Sequence, residues 1–126
     1  MKKWIILLLA GTVFYLSAKN EPTGLLCNLL VSPELTVIAT PEPQFGWAVP
    51  STVRNEKQSA YRILVASSVS NLNDDMGDMW DSGKQISHIS QNIRYKGKEL
   101  LPWSTYYWKV AFWNGKGEES SFSQPQ

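Results

Sequence analysis

Hydrophobic residues change their spacing near residue 18 of the chain. Residues 4–16 form an almost continuous apolar run. Beyond it, apolar residues occur in short alternating stretches that are separated by Pro, Gly, Asn, Asp and Ser. Alternation with a period of two is typical of half-buried β-strands, and the spacing of an amphipathic helix is nowhere evident. The pattern therefore predicts an all-β domain over residues 19–126.

Three alternating stretches place large side chains on one face of a strand. The first covers residues 45–49 and the second residues 61–66, and we expect these two strands to pair with each other across a polar turn. The third, residues 106–114, has the strongest pattern. The residues predicted to face inward are Phe45, Trp47, Val49, Tyr61, Ile63, Val65, Tyr106, Trp108, Val110 and Phe112. Aromatic rings on these inner faces predict one core between two sheets, with Trp47, Tyr61, Tyr106 and Trp108 in a single cluster.

Turn signals flank the third stretch. Residues 100–102 have a Leu-x-Pro pattern ahead of Tyr106, as in a tyrosine corner, where the phenol bonds back to the backbone at the edge of a sandwich. Residues 114–117 predict a hairpin turn, because Asn-Gly readily takes the positive φ that such turns require. The last strand, residues 120–126, is short for a sandwich. We expect it to be incomplete, to pair only partly and to leave unpaired backbone groups on its neighbour.

The weaker stretches complete the predicted fold. Residues 25–31 read as the first strand, followed by an extended stretch through residues 35–38 that prolines confine to a sheet edge. Residues 71–77 read as a loop rich in Asn and Asp. Residues 79–81 predict a short strand, and residues 86–95 predict a half-exposed one.

Composition agrees with one ordinary globular domain. The chain has 126 residues, of which 43% are hydrophobic and 18% are charged, and a chain of this length forms a single core. The formal net charge is +1, and neither sign of charge forms a long run. Bulk electrostatics therefore gives no reason to expect nucleic acid or an anionic membrane as a partner.

The N-terminal segment is organised like an export signal. A pair of lysines precedes the apolar run, and Ser17 and Ala18 follow it. The run is shorter than the roughly 20 residues that cross a bilayer, which favours a cleaved signal peptide, residues 1–18, over a membrane anchor. Lipidation at Cys27 is disfavoured because the large residue Leu26 precedes it. We expect an exported protein, periplasmic or extracellular, with no membrane attachment after cleavage.

Residues that could carry catalysis or bind a metal are few and scattered. Cys27 is the single cysteine, so it cannot form an internal disulfide, and its apolar neighbours predict a buried side chain. A catalytic thiol would need an activating histidine, and the chain offers only His88. No second acidic group is predicted to face the four aspartates of residues 74–81, which are interpreted as turn and surface residues. We predict no catalytic residue, no metal ligand and no cofactor.

Tryptophan is the residue type whose role the pattern leaves open. Trp47 and Trp108 fall on inward faces, whereas Trp80, Trp103 and Trp113 are candidates for surface contacts. An exposed coplanar row of indole rings would stack on sugars and indicate a carbohydrate-binding module. Aromatic residues grouped on a sandwich face also mark contacts with a neighbouring domain. Carbohydrate and a neighbouring domain are therefore both kept as candidate partners.

Several segments, taken in their order along the chain, resemble a known family. They are Leu25-Leu26-Cys27-Asn28, Pro43-Gln44-Phe45-Gly46-Trp47, residues 58–67, residues 77–84 with Trp-Asp-Ser-Gly-Lys, residues 106–110, Gly117 and Ser121-Phe122-Ser123. The ordered set resembles the fibronectin type III-like domain at the N-terminus of bacterial α-L-rhamnosidases and covers nearly all of residues 19–126. The resemblance implies an immunoglobulin or fibronectin type III-like two-sheet sandwich, which agrees with the strand pattern.

The resemblance also implies a division of labour between domains. In that family a further accessory sandwich and an α/α-barrel follow, and the inverting carboxylates lie in the barrel. No position of this chain therefore inherits a catalytic role. We expect a non-catalytic module that packs on neighbouring domains of an exported rhamnosidase. The alternative is a module that binds carbohydrate or protein on its own.

Overall fold

The computed structural model describes residues 20–50 and 56–126, so the predicted signal peptide lies outside the described residues. The strands, in chain order, are β1 (Thr23–Cys27), β2 (Gln44–Ala48), β3 (Gln58–Ala66), β4 (Trp80–Asp81), β5 (Gln85–Ile86), β6 (Ile93–Arg94) and β7 (Tyr107–Asn114). A short helix, α1 (Val69–Asn73), lies between β3 and β4. The strands form two antiparallel sheets, β1-β2-β6 and a larger sheet in which β3 pairs with β4, β5 and β7. The predicted all-β sandwich is confirmed.

The core lies between the two sheets, on the faces that alternation predicted. Trp47 and Trp108 are buried there, and Tyr61 and Tyr106 pack against the same cluster with part of their surface exposed. The rings of Trp47 and Tyr61 meet edge to face with centroids 5.3 Å apart, and those of Phe45 and Trp108 are 4.4 Å apart. Such aromatic pairs add to the free energy gained by burial alone. The predicted aromatic cluster is confirmed.

The predicted pairing between the strands of residues 45–49 and residues 61–66 is wrong. β2 pairs with β1 and β6, whereas β3 belongs to the opposite sheet. Their rings share a cluster because the strands face each other across the core. Alternation shows which face of a strand is buried, and two strands of opposite sheets share that property. The predicted strand of residues 86–95 is likewise divided between β5 and β6, which lie in different sheets.

The chain after β1 departs furthest from the predicted pattern. The predicted strand of residues 25–31 ends at Cys27, because Asn28 and Leu29 have φ angles of 49° and 66°, which a strand cannot accommodate. The extended edge stretch predicted beyond it is also wrong. Pro33–Leu35 forms a 3₁₀ turn instead, and most of the apolar side chains in this stretch are exposed.

The helix α1 is a feature that the sequence pattern did not predict. It occupies part of the loop predicted over residues 71–77, and the Ser68 hydroxyl caps it by accepting a hydrogen bond from Asn71 N. Leu72 is buried with Leu64 and Ala66 in a small second cluster. Five residues are too few for an amphipathic pattern to be recognised. Because Leu72 packs on Leu64 and Ala66, the helix covers part of the outer face of the larger sheet.

The tyrosine corner is confirmed in its geometry. The Tyr106 hydroxyl accepts a hydrogen bond of 2.9 Å from Leu101 N, five residues upstream. The hairpin turn after β7 also forms, with Gly117 N donating to Asn114 O. The positive φ is found at Gly117, at 78°, and not in the Asn-Gly pair that was expected to supply it. The Asn114 side chain instead accepts from two backbone N–H groups.

The expected unpaired groups beside residues 120–126 are not found. Ser120, Ser123 and Gln126 each donate a backbone hydrogen bond to the edge of β7, at Phe112, Val110 and Trp108. Two outward N–H groups of β7 are satisfied by serine hydroxyls in place of carbonyls, with distances of 3.0 and 3.1 Å. This segment is not a regular strand, yet it pairs along most of β7.

Candidate functional site

Three of the four aspartates of residues 74–81 are engaged by a structural partner. Asp81 accepts two hydrogen bonds from Arg62, at 3.0 and 2.7 Å, and this pairing lowers the pKa of its carboxyl. Asp78 accepts from both the backbone and the hydroxyl of Ser67, which lowers its pKa as well. Asp75 forms an ion pair with Lys109. Carboxylates with lowered pKa values are poor general acids at neutral pH, so the interpretation of Asp78 and Asp81 as turn and surface residues agrees with these contacts.

Cys27 and His88 do not form a thiol–imidazole pair in this fold. Cys27 is 7% exposed, and burial raises the pKa of its thiol to about 11. A thiol with a raised pKa is a weak nucleophile because little thiolate is present at neutral pH. His88 lies exposed on the connection between β5 and β6. Within the described residues, no group of three or more His, Cys, Asp or Glu side chains could hold a metal ion.

The three candidate surface tryptophans do not form a coplanar row. Trp80 pairs opposite Val65 and faces the core, where its ring stacks on Phe45 at 6.4 Å. Trp113 pairs opposite Ala60 on the other face of the same sheet, and Lys84 Nζ lies 4.8 Å from its ring centroid. Trp103 lies in the connection before β7 and is 94% exposed. Of the three, only Trp103 offers its whole ring to a partner.

A groove opens at the side of the sandwich between β5 and β6. Its volume is about 510 Å³, and it is lined by Tyr61, Trp80, Ser82, Gln85, Asn92, Ile93, Arg94 and Lys96. Burial raises the pKa of Tyr61, which lines the groove beside Trp80. Small-molecule sites combine apolar or aromatic side chains with a few polar groups, and this groove contains both kinds, with polar side chains in the majority. The groove therefore brings aromatic and polar side chains together on the described surface.

A polar network inside the core was missed by the sequence analysis. Gln58 is 5% exposed and accepts a hydrogen bond of 2.9 Å from Trp47 Nε1. Its amide nitrogen donates to the carbonyls of Ser87 and Ile89, at 3.0 and 2.9 Å. The strand phase would place Gln58 on the outer face with Arg62. A register shift between Gln58 and Ala60 changes that phase, and alternation alone does not signal such a bulge.

Gln126 was also not anticipated as a structural residue. Its side-chain oxygen accepts a hydrogen bond of 3.0 Å from Trp108 Nε1, in the larger sheet. Its side-chain nitrogen donates to Leu25 O and Val31 O, at 2.9 and 2.8 Å. Leu25 belongs to β1 of the smaller sheet. One glutamine side chain therefore connects the two sheets at this point.

The fold and its contacts define the class of the protein: an immunoglobulin-like β-sandwich module whose described polar clusters serve structure. The sequence profile of the Rha78A-like N-terminal immunoglobulin domain matches residues 22–126. The chain belongs to this family. Within the described residues, no helix is both long and apolar enough to cross a membrane.

Curated relatives and solved structures agree with this assignment. An α-L-rhamnosidase of Formosa agariphila is 38% identical over 98% of this chain, which spans 14% of that protein. An α-L-rhamnosidase of Streptomyces avermitilis is 39% identical over 66% of this chain and 8% of its own length. Among solved structures, the α-L-rhamnosidase from Dictyoglumus thermophilum has a TM-score of 0.78 and 38% identity, covering 87% of this chain and 12% of the other. The chain therefore spans about one seventh or less of the relatives it matches.

Proposed function

We propose that this chain is a non-catalytic accessory module of an exported α-L-rhamnosidase and that it stabilises and orients the domains beside it. The observation that carries the proposal is the match of residues 22–126 to an N-terminal domain of rhamnosidases. The contacts of the acidic residues support it, since Asp75, Asp78 and Asp81 each bind a residue of the sandwich. Inverting hydrolysis of a glycoside needs two carboxyl groups across a cleft, roughly 6.5–9.5 Å apart.

The first test concerns catalysis by the chain on its own. The purified polypeptide is incubated with an aryl α-L-rhamnoside, and release of the aryl group is followed against a buffer blank. We expect no release above the blank. Turnover that survives purification to homogeneity would contradict the non-catalytic part of the proposal.

The second test concerns the contribution of the module to a complete enzyme. The Formosa agariphila relative is prepared intact, with its matching N-terminal segment deleted, and with that segment replaced by residues 20–126 of this chain. We expect deletion to lower the melting temperature and the replacement to restore most of the difference. A replacement that is no more stable than the deletion would show that this module does not support the rest of the enzyme.

Export is part of the proposal and rests on the sequence of residues 1–18. The full chain is expressed in a bacterium beside a variant in which Leu7, Leu8 and Leu9 are replaced by Asp, which interrupts the apolar run. We expect the full chain to appear outside the cytoplasm, shortened at its N-terminus. The variant should stay in the cytoplasm at full length. Equal distribution of the two proteins would contradict export through this segment.

The groove between β5 and β6 favours a second candidate function, binding of a saccharide by the module itself. Trp80 and Tyr61 offer ring surface there, and Gln85 and Lys96 are exposed polar side chains at its edge. L-Rhamnose is titrated into the chain while tryptophan fluorescence is followed. Saturation that is lost in Lys96→Ala and kept in Lys116→Ala, an exposed lysine of the turn after β7, would support this candidate. Absence of saturation favours the accessory module alone.

A further inference from the structure

Exposed apolar side chains are concentrated at one end of the sandwich. Eleven large apolar side chains are exposed in the described part of the chain. Nine of them lie in the connections β1–β2, β3–β4 and β6–β7: Leu29, Leu30, Val31, Leu35, Val37, Val69, Met76, Leu101 and Trp103. The other two, Ile86 and Ile89, lie in β5 and in the connection from β5 to β6. We call the group of nine the apolar end.

Strand pairing places these three connections at the same end. Cys27, the last residue of β1, pairs with Phe45 near the start of β2. Val65 near the end of β3 pairs with both Trp80 and Trp108, so β4 and β7 begin at that level. The rings of Phe45 and Trp108 are in contact across the core, which puts the two sheets in the same orientation there.

Two residues of the apolar end, Leu29 and Trp103, have a left-handed backbone conformation. Leu29 and Trp103 have φ angles of 66° and 61°, a region that large L-residues rarely adopt. Their side chains are 72% and 94% exposed, so neither gains burial in return. Unfavourable backbone conformations of this kind are concentrated at functional sites. The two positions therefore hold large apolar groups at the surface of the domain.

Gln126 lies beside this surface. Its side chain bonds to the carbonyl of Val31, which lies within the apolar end. The matched family is an N-terminal domain of rhamnosidases, and this chain spans only 14% of one rhamnosidase and 12% of another, so most of each relative follows such a domain. A polypeptide that follows residue 126 therefore starts beside the apolar end. Such a tether gives it a high effective concentration there, which favours it over a second copy.

We propose that the apolar end is the docking surface for the polypeptide that follows this module in a rhamnosidase, and that this polypeptide meets it with an apolar surface of its own. The inference rests on the proposed function, because it needs a following domain. Fully buried interface cores are more apolar than the rest of a protein surface and contain few charged residues. The side chains of Leu29, Val31 and Trp103 suit such a core.

The test compares how strongly the side chains of the apolar end are labelled by a reagent in two proteins; we call this pattern of labelling the footprint. Residues 20–126 are labelled with a carbene reagent as an isolated chain and as the replacement segment in the Formosa agariphila rhamnosidase. We expect most of the labelling of Leu29, Val31 and Trp103 to be lost in the enzyme, because residues of an interface core are withdrawn from solvent. Labelling of Ile86 and Ile89 should stay unchanged, which makes them the internal control.

Three results would overturn the proposal. The first is unchanged labelling of the apolar end in the enzyme. The second is protection of Ile86 and Ile89 in its place. The third is protection of Leu29, Val31 and Trp103 already in the isolated chain, which would identify a second copy as the occupant.

Variants connect the footprint to stability. Trp103→Ser in the replacement enzyme should lower its melting temperature, whereas Ile86→Ser should not, and both isolated chains should melt like the parent because these side chains are exposed. Equal melting of the two variant enzymes would contradict docking at the apolar end.

If the replacement restores stability while the footprint there is unchanged, only the docking surface is wrong. If the replacement is no better than the deletion, the proposed function itself fails.

Discussion

Replacing Gln58 by Leu tests whether the buried hydrogen bonds of this side chain stabilise the packing of the two sheets. The change keeps the side chain close in volume but removes one hydrogen bond to Trp47 and two to the connection between β5 and β6. Trp47 has no exposed surface, so its indole N–H is left without water, at a cost of about 1–3 kcal/mol. The carbonyls of Ser87 and Ile89 can turn to solvent, and each lost bond there costs about 0.5–1.5 kcal/mol.

The expected loss is therefore about 2–6 kcal/mol, which is a large part of the total stability of a small domain. Urea unfolding followed by far-ultraviolet circular dichroism measures it. Gln85→Leu is the matched control, because that glutamine is exposed and loses only one surface hydrogen bond, to Ser82 O, so its replacement should cost no more than about 0.5–1.5 kcal/mol. Equal midpoints for Gln58→Leu and Gln85→Leu would refute the reasoning.

A double-mutant cycle separates the hydrogen bond from the packing around it. Trp47→Phe alone leaves the Gln58 side-chain oxygen buried without its partner. In the double variant Trp47→Phe with Gln58→Leu, no polar atom of this pair remains to be satisfied. We expect the two changes together to cost less than the sum of the single changes, by about 0.5–3 kcal/mol. Strict additivity would show that the two residues contribute independently.

Three further predictions follow from single residues. Trp108→Ala should cost about 3–5 kcal/mol in urea unfolding, because it removes a buried ring from the centre of the core; a loss below about 1 kcal/mol would place that ring outside the core. The pKa of Asp81 is lowered by Arg62, so its contribution to stability is present above the unfolded pKa of about 4 and is lost as the pH falls through the lower folded value. Asp81→Asn should therefore destabilise the protein at pH 7 and flatten its acid-unfolding profile below about pH 4, whereas a profile unchanged in slope would contradict this pairing. Cys27, whose pKa burial raises to about 11, should react with a thiol reagent at pH 8 only after unfolding in urea; rapid reaction in the native protein would contradict its burial.

The inner faces of the strands could be predicted because burial on one side imposes a period of two. Phe45 and Trp47 on β2, and Trp108 and Val110 on β7, are buried as the pattern indicates. The pairing partners could not be predicted in the same way. β2 and β3 each turn one face to the same core, and alternation carries no information on whether they lie side by side or face each other.

The chain between β1 and β2 shows a second limit of pattern reading. Apolar residues predicted a strand there because hydrophobicity is taken as a sign of burial. Leu29, Val31 and Leu35 are instead exposed, and the chain leaves the sheet through left-handed residues that are not glycine. Neither fact has a local sequence signal. The exposure of the candidate tryptophans could not be predicted for a similar reason. Trp80 packs against the core and Trp103 is exposed, and this difference depends on tertiary contacts that the local sequence does not encode.

The hydrogen bonds of Gln126 affect how freely this module can move relative to the polypeptide that follows it in a rhamnosidase. The residue is bonded to Trp108 through both backbone and side chain, and to β1 through Leu25. A displacement of the chain at this point would pull on both sheets at once, whereas a flexible linker would leave both undisturbed. Contact through the apolar end would add a second attachment next to the first. Two attachments at one end restrict rotation about the junction, so the accessory module and the polypeptide docked on it should move as one body.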